Sequence, residues 1–438
     1  MRRYTLTSMV ALLLLVVLGG IVLHAPFIVY IQSHAPAWGL VAKAWKEIIM
    51  IIAGPLLAIV LTRHQMWRVI LSDRLVQLGI GYIALHLLVV VVLAGDAVQI
   101  IAGLMIDLRF VAYAMLVYGL LKCAPHHRQR FISVAVAGAA LVVGFACMQT
   151  VLPRDFLTLI GYGPDTIVPY MTVDRNDDYI RFASTLRGPN PLGAYAASVL
   201  VITAAYVMRK KQLVRRHRGA LALLGLAAFV ALWVSYARSA YLVLAVGSIS
   251  AAAVVYGWRM RRSVWLGLTA LVIIVGGLTM AFGRSNVVVS NVIFHENPGE
   301  GGMVDSNGQH LQSLEQGLGY VLIHPLGAGV GTTGSASLQG ARPLIIENHY
   351  LFIAHEVGLL GLAVFVWLFG LVLVRLWHRR TDWLALGLFA SGIGLGLAAL
   401  ILPVWADDTV AIVWWGLAAV AISQKEGQNG RATKQKTA

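Results

Sequence analysis

Runs of about twenty apolar residues recur along this chain, and a run of that length crosses the hydrocarbon core of a bilayer as a helix. The first extends from Met9 to Tyr30, and others centre near Ala53, Leu87, Ala114, Val142, Val201, Ala227, Ala245, Val272, Phe365, Leu395 and Val413, twelve in all. Composition agrees: 59% hydrophobic residues, 12% charged and a mean hydropathy of +0.77 over 438 residues exclude a soluble domain. The sequence predicts an all-α polytopic membrane protein with about twelve transmembrane helices. The first run follows Met1-Arg2-Arg3, is too long for a signal-peptide core and lacks a small-x-small cleavage site, so it reads as a retained span. The second is interrupted by Gly54-Pro55. The fourth carries Asp107 and Arg109 at membrane depth, read either as a structural pairing or as part of a transport pathway.

A net charge of +15 would point to nucleic acid in a soluble protein, but in a membrane protein the charges must first be sorted by side. The N-terminus, the connections Arg63 to Arg74, Lys122 to Arg130, Arg209 to Arg218, Arg259 to Arg262 and Arg375 to Arg380, and the tail hold 24 of the 34 Lys and Arg residues. Basic residues collect on the cytoplasmic side, so both termini are expected there and no nucleic-acid partner is expected. Of 19 acidic residues only Asp73, Asp382 and Glu426 share that side. The resulting division is 1–151, transmembrane helices; 152–190, a first extracytoplasmic loop; 191–282, central helices; 283–348, a long second loop; 349–423, C-terminal helices; and 424–438, a disordered tail. Cys123 and Cys147 lie beside or within apolar segments and form no metal or redox motif.

Function in such a protein concentrates in long ordered loops. Within the second loop, Leu311, Leu314, Leu318 and Leu322 recur at helical spacing from Asn307 to Ile323, before Pro325 and the glycine-rich turn GAGVGTTG, which predicts a small helical cap. The loop ends at NHYLFIAHEVGLLG, where His349 stands at the entrance of a span. Imidazole titrates near neutrality and can take a proton from a hydroxyl. His349, Ile353 and Glu356 share one helix face, with the carboxylate roughly 10 Å deeper, and Gly358 and Gly361 read as a notch for close helix packing. Glu347 is either a support for the imidazolium or a simple loop acid.

Arginine is disfavoured on the extracytoplasmic side, so each one there needs a reason. Arg181 and Arg187 lie in RFASTLRGPNPLG, Arg238 in SYARSAYL, and Arg284 follows the ninth run. Guanidinium forks bind phosphate oxygens in pairs, and a lipid-linked diphosphate would sit at this level of the bilayer. The RGPNPLG turn is expected to let backbone amides approach an anion. No DxD metal motif occurs on this side: Asp177-Asp178 and Asp407-Asp408 are adjacent pairs, the first read as loop charge, the second as able to orient a catalytic group or an arginine.

RFASTLRGPNPLGAY, SYARSAYL, IHPLGAGVG and NHYLFIAHEVGLLG, in this order and with a long loop before the last two, resemble the bacterial O-antigen ligase and polymerase superfamily. The resemblance covers about Arg181 to Gly361, and twelve spans with both termini inside suit the family's architecture, a GT-C-like glycosyltransferase with a periplasmic helical cap. It implies transfer of a polysaccharide from undecaprenyl diphosphate to a lipid A–core hydroxyl at the periplasmic face of the bacterial inner membrane. By the same resemblance there is no cofactor and no metal, the partners are the two glycolipids and the surrounding membrane lipids, His349 is the catalytic base, and Arg187, Arg238 and Arg181 hold the diphosphate. Possible supporting groups are Glu347, Arg284 and Asp408. Two departures stand out: Ala237 replaces a common serine, and NGQHLQSLEQ lacks the arginine usual upstream of HPLG, leaving His310 and Arg284 as alternatives. A polymerase, a protein O-oligosaccharyltransferase and a lipid-linked sugar transporter are the alternative readings.

Overall fold

A computed structural model describes residues 5–93, 95–173, 176–210, 215–257 and 306–424. The helices are α1 (Leu6–Gly20), α2 (His24–His34), α3 (Gly39–Lys43), α4 (Trp45–Arg63), α5 (Trp67–Leu71), α6 (Arg74–Val92), α7 (Ala97–Cys123) and α8 (Arg128–Gln149). They continue with α9 (Pro189–Arg209), α10 (Arg215–Ser235), α11 (Arg238–Tyr256), α12 (Ser306–Ile323), α13 (Gly334–Ser337), α14 (His349–His378), α15 (Trp383–Ala398) and α16 (Asp408–Ile422). Among the described residues nine helices, with α1 and α2 joined through a 3₁₀ turn, are long and apolar enough to cross a membrane, which makes this a polytopic membrane protein.

Eleven of the twelve expected runs fall on helices, but α15 and α16 have only 16 and 15 residues, shorter than a usual span. The run near Val272, together with Arg259 to Arg262, Arg284 and the tail from Lys425, lies outside the described residues. Gly54-Pro55 does not interrupt α4, which runs through Pro55 unbroken. A proline removes one ladder bond, and neighbouring groups in a helical bundle tolerate that loss. The framework is all-α, with one small addition in a loop. The first loop carries a small antiparallel hairpin, β1 (Met171–Val173) and β2 (Asn176–Arg181), with Asp177 and Asp178 exposed on β2.

The helices alternate between two ends. At one end the basic connections meet acids and carbonyls: Arg375 forks onto Asp73 at 2.7 and 3.1 Å, Arg128 pairs with Asp382, and Arg209 donates to Arg380 O at 2.6 Å. The opposite end carries His349, Arg187, Arg238 and the loops.

Glycines let α9, α11 and α15 approach closely, as small residues do where lipid offers no hydrophobic drive for association. A Cβ on Gly387 would lie 2.8 Å from Ile202, one on Gly247 2.8 Å from Val201, and one on Gly394 2.7 Å from Val243 O. Around Phe365, an aromatic cluster of Phe110, Phe369, Trp405, Trp414 and Trp415 fills the space between α7, α14 and α16.

Candidate active site

The four segments that carry the resemblance meet in two pairs. RFASTLRGPNPLG meets SYARSAYL where Gly193 sits against Ala237 and Ala240, a Cβ there falling 2.6 and 2.9 Å away. Arg181 bridges the same corner, donating from Nε to Ser235 O at 3.0 Å and from Nη2 to Asn190 Oδ1 at 2.6 Å. Ser184 and Tyr236 hold positive φ values of 53° and 47°, unusual for residues with a Cβ, and Ser184 is tied to α8 through Gln149 and Val142 O.

The expectation for the RGPNPLG turn changes. Pro189 and Pro191 have no N–H, so the start of α9 offers an anion little beyond the Asn190 amide. Arg181 is already engaged with Ser235 and Asn190, which makes it a positioning residue for this corner. Arg187, one residue before the α9 N-cap, is exposed and acts electrostatically on the buried Asp407.

IHPLGAGVG meets NHYLFIAHEVGLLG inside α14. Val357 and Gly358 leave helical geometry, with φ +76° and ψ 178° at Gly358. The carbonyls this break frees are taken by the glycine turn: Ala328 N–H donates to His355 O at 2.6 Å and Gly329 N–H to Glu356 O at 3.1 Å, while Leu359 N–H donates to Pro325 O at 2.9 Å. The expected packing notch at Gly358 is therefore a kink. A Cβ on Gly358 would stand 2.6 Å from Leu326 C, so only glycine fits both the backbone angle and the contact.

Asn348 caps α14 through the Tyr350 and Leu351 amides, and His349 N–H donates to Ala399 O at 2.8 Å. The imidazole is 3% exposed, stacked on Phe352 at 5.8 Å and edge-on to Phe365 at 5.3 Å, and neither ring nitrogen has a hydrogen-bond partner among the described residues. Glu347 does not support it: Glu347 pairs with His310 of α12. Gly394 against Val243 and Gly247 against Ala390 O fix an antiparallel register between α11 and α15 that sets position 238 level with position 399. Arg238 and His349 therefore flank the same end of α15 at one depth.

The intramembrane charges, whose role the sequence left open, form a chain. Asp408 is held by Arg109 at 2.5 Å, Lys46 at 2.9 Å and His24 at 2.9 Å, and Arg109 also donates to Ala406 O. Asp408 thus orients a buried structural arginine. Asp407 caps α16 through the Thr409 and Val410 amides. Two residues before Arg109 on α7, Asp107 meets Glu356 and lies 3.6 Å from His86, while Glu356 accepts from Thr333 N–H at 3.2 Å. The chain of polar groups thus runs from Arg187 through α16 and α7 to the kink of α14. Lys46, His24 and His86 had only one signal in the sequence, a titratable side chain inside an apolar run. Among the described residues no three His, Cys, Asp or Glu side chains group as metal ligands. No family model and no curated protein matches the chain.

Proposed function

We propose that this protein is a glycosyltransferase of the O-antigen ligase kind, moving a glycan from undecaprenyl diphosphate to a lipid A–core hydroxyl at the periplasmic face of the bacterial inner membrane. The observation that carries the reading is His349: a buried imidazole with both nitrogens unpaired, at the entrance of a span and level with Arg238. A buried polar group without a partner costs about 1–3 kcal/mol and calls for a reason, which an acceptor hydroxyl bound there supplies.

In the proposed step His349 takes the hydroxyl proton as the acceptor oxygen bonds to the anomeric carbon. The bond from that carbon to the phosphate oxygen breaks, and undecaprenyl diphosphate leaves with its charge held by Arg187 and Arg238. Arg181 fixes the corner that presents them. A single displacement inverts the anomeric centre. An apolar crevice between α8, α9, α15 and α16, lined by Tyr195, Ile202, Leu388, Val410 and Trp414 and reaching Trp383 toward the basic end, suits a prenyl chain.

The buried Asp107–Glu356 contact favours a second reading, a transporter of lipid-linked sugars. One reaction separates these: purified protein, undecaprenyl-diphosphate-linked glycan and lipid A–core in detergent with EDTA, read by NMR of the new anomeric proton. Ligation with inversion is the expected result. A requirement for added metal overturns the arginine assignment, and a retained anomer overturns direct displacement. Elongation of the lipid-linked glycan alone moves the protein to the polymerase reading, and absence of any transfer without a gradient moves it to the transporter.

A further inference from the structure

Around the axis of α12, at 100° per residue, three strips follow one another. One packs on the entrance of α14: Gly317 lies against Ile346 and Leu351, Val321 is buried, and Ser313 Oγ donates to Ile345 O at 3.3 Å and accepts from Glu347 N–H at 3.0 Å. Beside it runs a leucine strip, Leu311, Leu314, Leu318 and Leu322, exposed by 58, 42, 52 and 72%. Gln312, Glu315 and Gln316 occupy the third, also exposed. Ile323 at the helix end and Leu326 beyond it are 69 and 85% exposed.

The depth of this segment is fixed by α14. Leu359 N–H binds Pro325 O, and Gly358 abuts Leu326. Position 358 is nine residues into an apolar helix of spanning length, roughly 14 Å beyond His349 at 1.5 Å per residue. Leu359 and Leu360, 51 and 64% exposed on that span, continue the surface that Leu326 and Leu322 begin.

We propose that α12 is re-entrant: it dips into the bilayer leaflet at the His349 end, with its leucine strip against lipid hydrocarbon and its glutamine strip toward water. An amphipathic helix at an interface shows this division of faces, and its apolar strip is continuous with the lipid-facing side of α14. The inference rests on the helices spanning a bilayer and does not depend on the proposed reaction.

Spin labels at Leu318→Cys and Gln316→Cys test it, in full-length protein with Cys123 and Cys147 changed to alanine and reconstituted in lipid nanodiscs. The expected result is a label at 318 that collides with oxygen over a water-soluble nickel chelate in the ratio found for Leu360→Cys, and a label at 316 that favours nickel. Nickel access at 318 shows a water-facing strip and overturns the proposal. Access to neither shows a protein partner over the strip and overturns it equally. The unaltered protein gives a second readout: a bilayer-partitioning carbene reagent should label Leu318 and Leu322 alongside Leu359 and Leu360, and labelling of the latter pair alone would refute the re-entrant placement.

Discussion

In the proposed reaction His349 and Arg238 carry the chemistry, and their substitution separates it from the scaffold. Replacing His349 with alanine removes an imidazole that holds no hydrogen bond, so the protein should stay folded while turnover falls by about 10²–10⁴, the usual weight of a general base. His355 is the control, since it packs edge-on against Tyr320 on the other side of α14. If His355→Ala abolishes transfer and His349→Ala does not, the base is misassigned. Arg238→Lys keeps the charge but loses the fork. Initial rates with the lipid-linked donor should drop at least about tenfold, the equivalent of one charge-assisted hydrogen bond of 1.5–3 kcal/mol. Near-normal rates would reduce the residue to charge balance. His349 was legible because its type and its place at a span entrance are local facts. Glu347 was not, because its partner His310 lies 37 residues upstream and only the fold brings the two together.

At the scale of elements, α14 is two helices joined at Gly358. Gly358→Ala places a Cβ at positive φ, a cost of about 1–3 kcal/mol, and also drives it into the Leu326 backbone. Thermal unfolding in detergent should show a clear loss of stability, whereas Gly370→Ala, where a Cβ meets nothing within 4 Å, should be near neutral. Equal melting of the two variants would mean that the kink is dispensable. The leucine spacing that predicted α12 and the apolar runs that predicted the long helices are properties of contiguous sequence. The kink is not: Gly358 reads as a packing glycine until residues 325–329 are placed beside it. The shortness of α15 and α16 was hidden for a similar reason, since apolar residues between them, such as Leu400 to Leu402, form a turn and not further α-helix.

Across the whole molecule the two ends are held differently. At the basic end Asp73 receives Arg375 and the Tyr118 hydroxyl. Burial alone would raise the Asp73 carboxyl, but these hydrogen bonds outweigh it and hold it below its ordinary value. The folded pKa lies below the unfolded one, so the pairing stabilises fully above the ordinary carboxylate range and is lost as pH falls through the folded value. Asp73→Asn keeps the helix cap and removes the ion pair. The variant should melt lower than the parent near neutral pH by the equivalent of about 0.2–1 kcal/mol, as befits a partly exposed pair, and the gap should close below the folded value. A gap independent of pH would point to packing instead. Basic loops announce this end in the sequence, whereas the Arg109–Asp408–Lys46 contacts join positions hundreds of residues apart and leave no local trace.

The break in α14 belongs to two stretches of chain at once. In hydrocarbon a freed carbonyl finds no water, so the bend persists only while the amides of residues 328 and 329 occupy His355 O and Glu356 O. Withdraw that turn and the cheapest remedy is to close the ladder through Gly358, which straightens α14 and swings the half bearing His349 about its own axis. The imidazole's aim is thus set by a turn that binds carbonyls six and seven residues further along the helix, and the glycines of that turn steer the ring as a rudder does, from behind.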